Sequence, residues 1–301
     1  MVTISDIARE ANVSLMTVSR VINGSPLIKE STRLKVEKVI RELDYVPNKQ
    51  ARTLKSKESK LVSLVIPDIS NPFFTNIVRG AEDKAHQKGY QLLLGNTDEN
   101  HVKEGKYINM LISTSVDGVL IVPANDDSLA NLKMLVKRRI PFVYVDRKVD
   151  KIAADSVSGD NLHTTRQLLK HLLELGHKRI ALINGPETLS IARERAQAFQ
   201  DTLKLAGIEL NPSFMIETHF KMNNFDEIIS KLVSFKNGER PTAILAANNF
   251  IGVNTLRALG ALNLRVPEDI AVACFDDPDI IPDYNPFLTV AKQPAYDIGF
   301  I

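Results

Sequence analysis

The chain has 301 residues, with 38 Lys and Arg against 36 Asp and Glu, a net charge of +2. That length exceeds one ordinary hydrophobic core and points to two or three domains. A single cysteine, Cys274, leaves neither a disulfide framework nor a zinc cluster. No apolar run reaches membrane-spanning length and the N-terminus turns polar within a few residues. The expectation is therefore a soluble cytoplasmic protein without a membrane anchor or signal peptide. The first 60 residues hold 12 basic against 7 acidic side chains, and the remainder 26 against 29. A basic head suits phosphate binding, while an acidic body resists lying flat on nucleic acid.

In chain order, Ile4 to Glu10 predicts a short helix opened by a Thr3–Asp6 capping box. Ala11-Asn12-Val13 makes a tight turn, and Ser14 caps a second helix running through Leu15-Met16-Thr17-Val18-Ser19-Arg20-Val21-Ile22 to Asn23. Ile7, Ala8, Val13, Val18 and Val21 close the two helices on each other. Ser14, Leu15, Met16, Thr17 and Arg20 stay on the outer face. Such a helix-turn-helix inserts the start of its second helix into the DNA major groove. Glu30 to Leu43 predicts a third helix, with Leu34, Val36, Val39, Ile40 and Leu43 along one stripe, completing a head over residues 1–47. Pro47 interrupts it. Asn48 to Ser56 is a short polar helix candidate, capped by Asn48, with too few apolar side chains to fold alone. Residues 48–60 thus read either as a flexible linker with an incidental Leu54 or as a hinge helix whose Leu54 wedges into DNA.

From Leu61 short apolar runs alternate with helical stretches. The runs are Leu61 to Ile66, Tyr90 to Leu94, Gly118 to Val122, Phe142 to Val145, Arg179 to Ile183, Ala243 to Ala246 and Ile270 to Phe275. Uniformly apolar strands separated by helices mean parallel sheets covered on both faces. Two successive sets imply two doubly wound subdomains, residues 61–160 with 291–301 and residues 161–290. Leu288 to Ala291 is expected to lead back to the first. The fold class is therefore an all-α helix-turn-helix head followed by an α/β core of two parallel-sheet subdomains.

Ligands of such sheets bind beyond the carboxyl ends of the strands. Those positions carry Asp68, Asn71, Phe73 and Phe74; Asp146 and Arg147; Arg193 and Arg195; Asn248 and Asn249; and Asp276 and Asp277. Carboxylate, amide and guanidinium groups facing aromatic rings suit a polyhydroxylated ring. Taken one by one, Phe73 and Phe74 read equally as core, Asp146-Arg147 as a loop ion pair and Arg193 as solvated surface. No dinucleotide turn, phosphate loop or nucleophile elbow is present, and the six histidines lack metal-ligand spacing. The expectation is no enzyme, no cofactor and no metal.

The head resembles the lactose/galactose repressor (LacI/GalR) family of bacterial transcription regulators. The likeness runs through Asp6-Ile7-Ala8, Ala11-Asn12-Val13-Ser14, Thr17-Val18-Ser19-Arg20-Val21-Ile22-Asn23-Gly24, Thr32-Arg33 and Tyr45-Val46-Pro47-Asn48. The core resembles ribose-type members, whose architecture is that of periplasmic sugar-binding proteins. The shared residues there are Asn71, Phe73 and Phe74, Asp146-Arg147, Arg195, an aromatic like Phe220, Asn248, Asp276 and Gln293.

The resemblance implies a repressor of a carbohydrate operon, binding near-palindromic operator DNA as a homodimer, with a tetramer as the alternative assembly. Arg20 would contact guanine, Leu15 and Met16 thymine methyls, and Thr3, Ser14, Thr17, Ser19, Asn23 and Tyr45 the phosphates. Asn48 would cap the hinge helix and Leu54 would be its minor-groove wedge. Arg147, Arg195, Asn248, Asp146 and Asp276 would bond hydroxyls of a ribose-like sugar between stacking walls of Phe73, Phe74 and Phe220. Val122 stands where an asparagine is common, and Asn249 where an aspartate is, which implies a differently hydroxylated sugar. Two arginines also leave a sugar acid open as effector, and the family includes catabolite regulators that dock a phosphorylated carrier protein. Relatives usually continue some thirty to forty residues past Tyr296-Asp297-Ile298-Gly299, so a truncated C-terminus is expected.

Overall fold

The computed structural model describes residues 2–45, 58–219, 224–236, 238–277 and 287–301. The hinge with Asn48 and Leu54, and Phe220, lie outside the described residues. The chain forms two units, Met1–Ser59 and Lys60–Ile301.

The head holds α1 (Ile4–Glu10), α2 (Leu15–Ile22) and α3 (Glu30–Glu42). Thr3 closes a capping box with Asp6, its backbone N–H donating to the Asp6 carboxylate at 2.9 Å. Ser14 Oγ accepts from the Thr17 N–H at 3.1 Å. These caps satisfy helix-end donors that would otherwise be orphaned. Ile7, Ala8, Ala11, Val18, Val21, Val36 and Val39 form the buried cluster. Leu34 departs from the expected stripe and is 54% exposed. It lies two residues from Val36, about 200° around the helix, so the two cannot share a face.

The larger unit contains two five-stranded, all-parallel sheets. β1 (Leu61–Ile66), β2 (Gln91–Asn96), β3 (Gly118–Ile121), β4 (Phe142–Val145) and β5 (Ser156–Val157) lie in the order β2-β1-β3-β4-β5. β6 (Ile180–Asn184), β7 (Met215–Glu217), β8 (Ala243–Ala246), β9 (Ala271–Phe275) and β10 (Thr289–Ala291) lie in the order β10-β9-β8-β6-β7. Read from the first strand of each set, the two orders are the same. The strand order reverses beside β1 and β6, which opens a crevice at their carboxyl ends.

Side chains along each strand alternate between two apolar layers. Leu64 and Ile66 pack with α4 (Pro72–Gln87) and α11 (Ala295–Phe300), and Val65 with α5 (His101–Thr114) and α6 (Leu129–Arg138). Ala243 and Leu245 meet α7 (Asn161–Glu174) and α8 (Ser190–Leu205), and Ile244 and Ala246 meet α9 (Phe225–Val233) and α10 (Asn249–Ala261). Cys274 is buried in the last of these layers, a thiol inside an apolar core.

Leu288 to Ala291 does not lead back as expected. β10 pairs with β9, Thr289 opposite Ala273, because β9 otherwise presents an open edge of unpaired backbone groups. Only α11 returns, crossing α4 at Gly80 and Gly299. A Cβ on Gly80 would strike the Tyr296 carbonyl, and one on Gly299 the Ile77 carbonyl, so the two helix backbones touch. Among the described residues no helix is long and apolar enough to cross a membrane.

Candidate functional site

On the head, the first turn of α2 projects Leu15 and Met16, 49% and 58% exposed. Leaving two large apolar side chains in water at a helix start has no packing benefit for an isolated head. Arg20 is exposed on the same helix. The Ser14 and Thr17 hydroxyls lie 2.9 Å apart, and the Asn23 amide donates to the Ser19 carbonyl at 2.7 Å. These polar side chains therefore already brace the helix they stand on. Thr3 is exposed, Ser19 is half-buried, and Tyr45 is half-buried against the head cluster. The Thr3 hydrogen bonds hold the Asp6 carboxyl below the usual carboxylate range.

In the larger unit, eight of the expected effector residues line one cavity: Asn71, Phe73, Phe74, Asp146, Arg147, Arg195, Asn248 and Asp276. All but Arg195, which stands in the second turn of α8, follow the carboxyl end of a strand or open the next helix. Asn71 caps α4 and Asn248 caps α10, each accepting from a backbone N–H of its first turn. Asp146 and Asp276 stand after the fourth strand of their respective sheets, with φ of 62° and 63°. Left-handed backbone costs a non-glycine residue about 1 kcal/mol, and such outliers gather at functional sites. Here the same turn, made twice, aims two carboxyls into one crevice.

Phe73 and Phe74 are core residues that also border the cavity. They belong to the buried cluster under α4, with their rings edge to face 5.2 Å apart. Gln293 does not line the cavity but donates to Asp276 Oδ1 at 2.8 Å from behind. Three lining residues escaped the sequence reading: Glu99, Ile191 and Phe250. Glu99 follows β2 by the same strand-end rule that located the others, and Phe250 adjoins Asn248-Asn249.

The arginines are deeply held. Arg147 donates to both Glu99 oxygens, at 2.6 and 3.0 Å, and its guanidinium lies 5.7 Å from the Phe74 ring. Arg195 donates to Asn161 Oδ1 at 2.9 Å and to the Ala247 carbonyl, with its guanidinium 4.1 Å from the Phe275 ring. Burial lowers the Arg195 pKa. Burial raises the Asp146 carboxyl and pushes Asp276 up to about 6, against the opposing pull of arginine charge. Asp146 Oδ1 is buried without a hydrogen-bond partner among the described residues. A buried acceptor left unpaired costs about 1–3 kcal/mol and is ready for a donor.

The cleft is shut. Its free volume is about 20 Å³, room for one or two waters. Asn249 Nδ2 donates across it to Asn71 Oδ1 at 3.0 Å. Arg193, far from being solvated surface, reaches over to Asp126 at 2.9 Å and Asp150 at 3.1 Å. Ser190 Oγ accepts from the Lys148 N–H at 3.1 Å. Admitting a ligand larger than water requires these cross-cleft contacts to part. Among the described residues no group of His, Cys, Asp and Glu is placed to hold a metal ion.

Residues 3–48 match the model of bacterial regulatory proteins of the lacI family, and residues 59–282 that of periplasmic binding proteins and the sugar-binding domain of the LacI family. The chain is 33% identical over 299 residues to the HTH-type transcriptional regulator DegA of Bacillus subtilis, covering 99% of this chain and 88% of that one. Among solved structures it is similar to the lac repressor dimer bound to operator and the anti-inducer ONPF (TM-score 0.83, 28% identity, 99% of this chain and 89% of that one). It is also similar to a complex of the transcriptional regulator CelR with cellobiose (TM-score 0.71, 31% identity, 100% and 90%). With both halves matched and a relative at this identity aligned almost end to end, the chain belongs to the LacI family, and is a DNA-binding transcriptional regulator rather than an enzyme.

Proposed function

We propose that this regulator is a homodimeric repressor whose hold on a near-palindromic operator is governed by a polyhydroxylated effector bound in the cleft between the two sheets once its cross-cleft contacts part. Carboxylates, amides and guanidinium groups that follow strands of both sheets converge on one cavity beside aromatic side chains, and that convergence carries the reading. Each head would read a half-site, since a two-fold dimer demands a two-fold site. Leu15 and Met16 would meet thymine methyls, and Arg20 a guanine edge. Thr3, Ser14, Thr17, Ser19, Asn23 and Tyr45 would face phosphates. The effector acts only through unequal affinity for the open and shut arrangements of residues 61–301, relayed by residues 48–60.

Operator anisotropy and calorimetric sugar titration on paired variants test this. Arg20→Ala should weaken operator binding about 5- to 150-fold, a loss of roughly 1–3 kcal/mol, and leave sugar binding intact. Arg195→Ala should abolish sugar binding and spare the operator complex. Loss of DNA binding in the Arg195 variant, or unchanged operator affinity in the Arg20 variant, would refute the assignment.

A further inference from the structure

The cavity holds four carboxyl groups, Asp68, Glu99, Asp146 and Asp276, against two guanidinium groups, Arg147 and Arg195. Both cations are already engaged by acceptors of the protein itself. The Arg147 fork is filled by Glu99 through two parallel bonds, and Asp146 lies 3.7 Å from its Nε. Such a bidentate pairing is the geometry a ligand carboxylate or phosphate would itself need. Arg195 donates through Nε to Asn161 and through one terminal nitrogen to the Ala247 carbonyl, and lays its face on Phe275. Asp146 Oδ1, buried without a hydrogen-bond partner among the described residues, calls for a donor, which a hydroxyl or ammonium supplies and a carboxylate does not.

We propose that Glu99 determines effector class: by occupying the Arg147 fork it makes the cleft accept polyols that are uncharged or amino-substituted and reject carboxylated or phosphorylated ones. This rests on the effector reading above and sharpens it. Carboxyl groups outnumber guanidinium groups two to one, and at pH 7.5 Asp276 adds its charge to them, since its proton leaves near pH 6. An incoming anion then meets an excess of acidic groups in a medium that screens poorly. Exchanging Glu99 for its neutral isostere removes one negative charge and frees part of the Arg147 fork without changing volume.

The test is calorimetric titration of the full chain at pH 7.5 with matched sets: glucose, glucosamine and glucuronate; galactose, galactosamine and galacturonate; ribose and ribose 5-phosphate. In every set that binds, the anionic member should be at least tenfold weaker than its neutral parent, and the amino sugar no weaker. Glu99→Gln, checked for an unchanged circular-dichroism spectrum, should narrow the neutral-to-anion gap at least fivefold. A uronate or sugar phosphate binding the wild type more tightly than its neutral parent overturns the proposal, whatever the variant does. So does an unchanged gap in a folded Glu99→Gln protein. Failure of every set to bind removes the effector reading itself, and this inference with it.

Discussion

Asp276 makes a pH-dependent contribution to stability whose sign and size follow from its surroundings. Burial pushes its pKa up to about 6, although Arg195 and the Gln293 hydrogen bond pull the other way. In the unfolded chain an aspartate ionises near pH ~3.9. A folded-state pKa above the unfolded one means that the folded chain binds the proton more tightly. The stability this provides is complete below about pH 4 and is lost as pH rises through 6. A separation of roughly two pH units corresponds to about 3 kcal/mol. Asp276→Asn keeps an oxygen to accept from Gln293, and asparagine tolerates the left-handed backbone at this position. It removes the titration. The difference in unfolding free energy between variant and wild type should therefore rise by about 2–3 kcal/mol in the variant's favour between pH 4 and pH 7.5. Asp146, also raised by burial, titrates in both proteins, and its charge contributes to the rise at Asp276. Urea denaturation followed by circular dichroism across this range reads it directly. Parallel stability curves would refute the reasoning, for they would mean that the Asp276 carboxyl does not change its proton affinity on folding.

Two other consequences are open to measurement. Arg193→Gln deletes two partly exposed ion pairs across the cleft, worth about 1 kcal/mol together. It should shift the balance toward the open arrangement about fivefold, seen as a larger radius of gyration in solution scattering; an unchanged radius would show that these pairs do not hold the cleft shut. Gly80→Ala drives a methyl group into the Tyr296 carbonyl. Prying α11 from α4 should cost about 1–3 kcal/mol, and an undiminished melting temperature would contradict the close crossing.

Much of the fold was legible because its signals are local. Thr3 with Asp6 and Ser14 with Thr17 are caps closed within one helical turn. Most strands of the core are short apolar runs because parallel strands are buried on both faces, and β1, β4 and β8 begin and end where the runs do. β5 and β7 escaped because two or three residues at a sheet edge carry no period to detect. Leu288 to Ala291 pairs with β9 instead of leading back to the first sheet because an edge strand's partner is decided by which neighbour offers an open edge, and that is not written in its own residues.

The cavity divides in the same way. That functional groups follow strand ends is a rule of the parallel sheet, so Asn71, Asp146, Arg147, Asn248 and Asp276 could be named from order along the chain alone. What those groups are committed to could not. Glu99 fills the Arg147 fork from 48 residues away, and Arg193 reaches Asp126 and Asp150 from 67 and 43 residues away. Helix caps and buried strands follow from nearest neighbours in sequence, and these were decided by the residues themselves. Partnerships of charge across the cleft depend on distances of a few ångströms between segments the chain keeps far apart, and only the packed tertiary structure decides those.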